Sequence, residues 1–133
     1  MYSGLHSIGE AAKLAGITVK MIRRYEEDGL LAKAPRRQNG YRTYQEKDIH
    51  VLRFIRQARA LGFPIKQIQT LLDLWQDQHR PSSQVKALAQ LQIATLQSKM
   101  DELHAMQTAL HQLVACCSGD ARPDCPILDS LAK

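Results

Sequence analysis

A chain of 133 residues, 44% hydrophobic and 23% charged with a net charge of +5, has room for one small domain and an oligomerisation element. No apolar stretch approaches the roughly 18 residues that cross a bilayer, and the N-terminus lacks the apolar core of a secretory leader. The expected setting is cytoplasmic, with no membrane partner, and thiols stay reduced there. The charge is uneven: residues 1–62 carry 12 Lys/Arg against 6 Asp/Glu, whereas residues 63–133 carry 6 against 7. Contact with a polyanion therefore belongs to the first half. No acid–base pair, nucleophile triad or phosphate loop is present, so an enzyme is not expected.

The first element is announced by Ser7-Ile8-Gly9-Glu10, the spacing of a capping box. Ile8, Ala11, Ala12 and Ala15 then form one small apolar face, and Gly16 breaks the helix. Thr18 caps a second helix with Ile22, Tyr25 and Leu30 inward and Lys20, Arg23 and Arg24 outward. Short helix, glycine turn and basic second helix predict a helix-turn-helix, although an amphipathic hairpin with a solvated basic face has the same pattern. Asn39-Gly40 inside Pro35–Tyr44 is a strong hairpin signal. With Arg36, Arg37 and Arg42 around it, the hairpin reads as a wing that grips phosphates beside the groove entered by the second helix.

A third helix is predicted from about Glu46 to Ala60, with Ile49, Leu52, Phe54, Ile55 and Ala58 apolar and Arg53, Arg56 and Arg59 exposed. Leu61-Gly62-Phe63 ends it. Pro64 suits the first turn of a fourth helix, whose Ile65, Ile68, Leu71, Leu72 and Trp75 recur at helical spacing; Trp75 is expected in the core. Ser82 or Ser83 then caps a helix to about Ala115, about 50 Å long at 1.5 Å per residue. Ile93, Met100, Gln107 and Val114 share one heptad position, and Ala89, Leu96, Leu103 and Leu110 another. That seam has no segment in the chain long enough to cover it, so a second copy is expected in an antiparallel coiled-coil homodimer. Beyond the seam stand Cys116, Cys117 and Cys125. A seven-residue loop between Cys117 and Cys125 is a compact site for a soft metal.

The order of these elements resembles the MerR family of transcription regulators. The resemblance is carried by Ile22-Arg23-Arg24-Tyr25-Glu26-Glu27-Asp28-Gly29-Leu30, by Asn39-Gly40-Tyr41-Arg42 with Tyr44, and by Arg56–Phe63. Cys117, Cys125, Pro126 and Ile127 are similar to the copper-efflux regulator branch of that family. Two residues depart from the pattern: Arg24 stands where the family often has an aromatic, and Cys116 is not general in the branch. The implied fold is mainly α: a winged helix-turn-helix DNA-binding domain with its following helix pair (1–75), a dimerisation helix (82–115), and a metal-binding loop with a short C-terminal helix (116–133). By resemblance Lys20, Arg23 and Tyr25 belong to the recognition helix, Tyr41, Arg42 and Tyr44 to the wing, and Arg56 and Arg59 to contacts with the DNA backbone. The implied partners are a palindromic operator in double-stranded promoter DNA and RNA polymerase, with activation of metal-efflux promoters by distortion of the promoter spacer, a form of control through DNA deformability.

Two thiolates without further ligands suit a linear monovalent d10 ion such as Cu(I), Ag(I) or Au(I), whereas Zn(II) prefers four ligands. The resemblance adds that divalent-metal relatives place a third cysteine, given by the partner subunit, where this chain has Ser82. The expected ligands are thus Cys117 and Cys125. Pro126 suits a helix start whose amides would favour a thiolate at Cys125, and Lys86 of the partner's long helix adds positive charge. Cys116 either packs as a small residue closing the helix or supplies a third thiolate. The alternative function on the same scaffold is a redox sensor closing a Cys117–Cys125 disulfide, or a divalent-metal sensor of the Zn, Cd or Pb type.

Overall fold

The computed structural model describes residues 4–32, 40–79, 81–120 and 123–133. Its elements are β1 (Leu5–His6), α1 (Ile8–Ala15), α2 (Val19–Glu27), β2 (Tyr44–Gln45), α3 (Glu46–Ala60), α4 (Ile65–Gln76), α5 (Ser82–Cys116) and α6 (Pro126–Ala132). Two compact units divide within α5, residues 1–88 and residues 89–133. The architecture is mainly helical, with β1 and β2 as its two-stranded antiparallel sheet, Leu5 opposite Gln45 and His6 opposite Tyr44.

Each helix of the first unit begins and ends where its residues dictate. The Ser7 hydroxyl accepts the Glu10 N–H at 3.1 Å, and Thr18 does the same for Met21, satisfying amides that lack an intrahelical partner. At Gly16, φ is +74°, and the amides of Gly16 and Ile17 both return to the Ala12 carbonyl. That left-handed stop suits glycine, and a Cβ there would also collide with the Arg56 guanidinium. Helix α3 runs from Glu46 to Ala60 as its periodicity predicts, and Asp48 accepts the Gln45 N–H at 2.8 Å to fix its start. Pro64, expected inside α4, is instead its N-cap with an extended ψ of 157°.

The core of this unit joins Ala11, Ala15, Ile22, Tyr25, Leu30, Tyr44, Ile49, Leu52, Ile55, Phe63, Ile68 and Leu72. Burying each aliphatic side chain contributes about 1.5–3 kcal/mol before conformational entropy is charged. Trp75 lies outside this cluster, correcting the expectation. It is 42% exposed and stacks on Phe54 with centroids 4.7 Å apart, because its position near the end of α4 carries it past the core.

The second unit consists of most of α5, the cysteine loop and α6. The seam residues Ile93, Leu96, Met100, Leu103, Leu110 and Val114 are all exposed, as is Ala89. No helix among the described residues is long and apolar enough to cross a membrane.

Candidate nucleic-acid interface and thiol site

The helix-turn-helix sets α2 with one face in the core and the other in solvent. Ile22 and Tyr25 point inward, while Lys20, Arg23 and Arg24 are exposed. Arg24 lies 3.3 Å from Asp28 one turn on, a surface pair too exposed to hold the guanidinium strongly. Tyr41 projects from the base of the wing at 73% exposure. Arg36, Arg37 and Asn39, expected in the wing itself, lie outside the described residues; Gly40 has the positive φ, +84°, that an Asn-Gly turn requires.

Of the tyrosines that the resemblance assigns to the DNA-binding elements, two lie in the core, Tyr25 as its inward helix face predicts and Tyr44 on β2. Tyr25 is buried, and burial raises its phenol above the ordinary range. Tyr44 is fully buried, and burial followed by the nearby Glu26 carboxylate pushes its phenol up to about 12. The cause is strand and helix phase: Tyr25 follows Ile22 by three residues on the inner face of α2, and Tyr44 sits on β2 opposite His6 of β1.

The arginines of α3 make intramolecular contacts. Arg53 donates to the Leu14 carbonyl at 3.1 Å, at the open end of α1. Arg56 lies over Gly16. Arg59 donates to the Phe63 carbonyl at 3.2 Å. All three residues keep exposed surface, so cations that complete helix ends also add to the positive face.

Two further residues emerge only from the structure. Glu26 is a carboxylate with a side chain just 1% exposed, 3.2 Å from Arg42 Nη1 and 3.2 Å from the Tyr44 hydroxyl. Its signal in the sequence was its spacing of four from Ile22, which places it on the buried face of α2. His6 presents Nε2 to Glu46 at 2.8 Å and Nδ1 to Glu10 at 3.5 Å. Carboxylates only accept hydrogen bonds, so this geometry suits an imidazolium, and the Glu46 bond raises His6 above its ordinary pKa.

The thiol site lies in the second unit. Cys117 follows α5 directly, its N–H returning to the Val114 carbonyl at 3.0 Å. Gly119 has a φ of +70°, and Ser118 donates to Asp120 at 3.4 Å. Cys125 caps α6, with Pro126 at the first position and its own carbonyl accepting from Asp129 at 3.0 Å. Cys117 and Cys125 are half-buried free thiols, and Cys116 is an exposed one. Cys116 is the last residue of α5 and is exposed in the isolated chain. Among the described residues no three of His, Cys, Asp and Glu stand together as a metal cage. The segment carries soft thiol donors, Cys117 and Cys125, at its two ends. Ser82 and Lys86 are exposed in the first turns of α5.

Comparison with known proteins covers this whole arrangement. Residues 6–75 match the family described as MerR HTH family regulatory protein, and residues 49–113 match MerR, DNA binding. The chain is 50% identical over 127 residues to the HTH-type transcriptional regulator HmrR of Sinorhizobium medicae, across 96% of this chain and 86% of that protein. It is 40% identical over 126 residues to the HTH-type transcriptional regulator CueR of Salmonella typhimurium, across 95% of this chain and 91% of that one. The crystal structure of the transcription regulator PbrR691 from Ralstonia metallidurans CH34, in complex with lead(II), shares its fold with a TM-score of 0.82 at 35% identity, covering 95% of this chain and 98% of that chain. With its capped helix pair, exposed basic α2 and long α5, this chain belongs to the MerR family of DNA-binding transcription regulators, which are not enzymes.

Proposed function

We propose that this regulator is metal-responsive and takes Cu(I), Ag(I) or Au(I) as inducer on Cys117 and Cys125. One observation carries the reading: two half-buried free thiols at the two ends of one loop, the first closing α5 and the second capping α6. A bound monovalent ion would supply a soft, linear link between them. The loop residues hold the two sulfurs near helix ends, so a change at the loop reaches α5 directly. The exposed stripe from Ile93 to Val114 supports a homodimer joined along α5, with the two-fold symmetry that a palindromic operator matches. In the cytoplasm such a dimer, together with RNA polymerase, activates an efflux or detoxification promoter by deforming its spacer. Lys20, Arg23, Arg24 and Tyr41 are its exposed reading residues, aided by Arg36, Arg37, Arg56 and Arg59; in the dimer the partner's Lys86 would add charge near the thiol site.

A divalent reading has specific support. The lead(II) complex is formed by a relative of the same fold, and exposed Cys116 adjoins Cys117. Ser82 weighs the other way, since it offers no thiolate at the start of α5. Transcription in vitro from the regulated promoter, with each ion buffered, separates the two. The wild type should respond to Cu(I) and ignore Zn(II), and Cys117→Ser or Cys125→Ser should abolish the response while operator binding persists. Cys116→Ser should retain it, and Ser82→Cys should add a divalent response. Strong Zn(II) activation of the wild type, or full Cu(I) activation of Cys125→Ser, would overturn the two-thiolate assignment.

A further inference from the structure

We infer that Glu26 is the positioning residue of the DNA-reading surface: its buried carboxylate fixes the wing base at a set angle to the recognition helix through Arg42 and Tyr44. The inference rests on the DNA-binding role of the family and concerns how the two reading elements are held together.

The geometry is specific. Arg42 and Tyr44 are two residues apart on an extended segment, so their side chains leave the same face, and both end on Glu26 Oε1 at 3.2 Å. Glu26 belongs to α2, which also carries the exposed Lys20, Arg23 and Arg24. The carboxylate is almost wholly removed from water, while Arg42 keeps 28% of its side chain exposed. A buried charge is tolerated only when paired and hydrogen-bonded, so swinging the wing base away breaks two of the bonds that satisfy Glu26. The neighbouring backbone link is slight, because β1 and β2 pair over two residues each, and so short a ladder is weak by itself. Above the clamp, Ile8, Arg23, Glu27, Gly40 and Tyr41 wall a cleft of about 360 Å³ between α2 and the wing base. Its width is the separation of the two elements that meet DNA, and Glu26 lies in its wall.

Arg42 thereby acquires a role other than phosphate contact. Its charge is matched by Glu26, and its contribution is to hold the wing base, with Tyr41, against α2. Affinity for any phosphate backbone depends on the free cations, whereas discrimination depends on placing α2 and the wing together on one sequence.

The test uses the full-length protein, its operator and a random duplex of equal length, titrated over a range of salt. Glu26→Gln keeps size and an acceptor but removes the charge. Operator affinity should fall by about tenfold, while random-duplex affinity holds or rises and the salt slope does not decrease. Combining Glu26→Gln with Arg42→Gln should cost discrimination little beyond the first change, because both break one clamp. Equal loss on operator and random duplex would mark a merely structural residue and overturn the inference, as would unchanged discrimination. If Glu26→Gln does not fold, Tyr44→Phe removes one donor and keeps the ring; it should lower discrimination in the same direction, and unaltered discrimination would overturn the inference equally. A wild type without operator binding would instead sink the DNA-binding reading on which the clamp depends.

Discussion

Large apolar side chains close on one another in residues 1–88 and line the outside of a helix in residues 89–133. Ile22, Ile49, Leu52, Ile55 and Ile68 are fully buried, whereas Leu103 is 63% exposed and Ile93 65%. The first unit thus completes its own core from α1 to α4, and small helices suffice because their ends are capped and their faces meet. Helix α5 also carries large aliphatic residues, but among the described residues those of the seam stay exposed. A contiguous exposed stripe of this kind marks an interaction surface. The difference separates two kinds of stability: one that a single chain supplies, and one that depends on protein concentration.

The sharpest way to break that contrast is Leu103→Glu. In a homodimer joined along α5 it places an unpaired charge in the seam, at a cost of several kcal/mol. Sedimentation should then give monomer or aggregate, with operator binding lost and the first unit still folded. A stable dimer with intact DNA affinity would remove α5 from the interface.

The converse change is Ile55→Ala, which opens a cavity in the first unit and should cost about 2–5 kcal/mol. Thermal unfolding should show that loss at every protein concentration, because the site is buried within one chain. If its effect instead tracked concentration as strongly as that of Leu103→Glu, the two units would not differ as described.

Much of this division was legible in the sequence. The 3.6-residue period placed α3 at its observed bounds, and the heptads of α5 announced a surface without a partner. Periodicity reports which face is apolar, so it succeeded wherever one helix face decides the structure. It failed where a side chain leaves its element. The helix period set Tyr25 inward, where it lies, whereas Tyr44, which the resemblance assigns to the wing, is turned into the core by its place on β2. Glu26 entered only as part of the α2 motif; the convergence of Arg42 and Tyr44 from elsewhere in the chain gives it a role. The cysteine spacing identified the thiol loop, but the exposure of Cys116 depends on what lies beside the end of α5, which no local pattern encodes.

The smallest effect expected sharpens the self-sufficiency of the first unit, and it concerns His6. This residue ties β1 to the starts of α1 and α3 through Glu10 and Glu46, across from Tyr44 on β2. The charged neighbours on α3 are Glu46 itself with His50 and Arg53, both of which act on Glu46. The Glu46 bond raises His6 above 6.5, against an opposing effect of burial. The same bonds lower Glu10 and Glu46 below 4.5. A raised histidine stabilises the fold fully below its unfolded pKa and ceases to do so as pH climbs through the folded value. Lowered carboxylates contribute above their unfolded pKa and stop contributing as pH falls through the folded value. The staple is therefore strongest between the ordinary values of the two groups, 4.5 and 6.5. His6→Gln should lower the melting temperature of the first unit slightly near about pH 5.5 and leave it almost unchanged near about pH 8.5. The effect is modest because both carboxylates are largely exposed. Identical pH profiles of melting for wild type and variant would show that the two carboxylates do not hold an imidazolium at this corner of the fold.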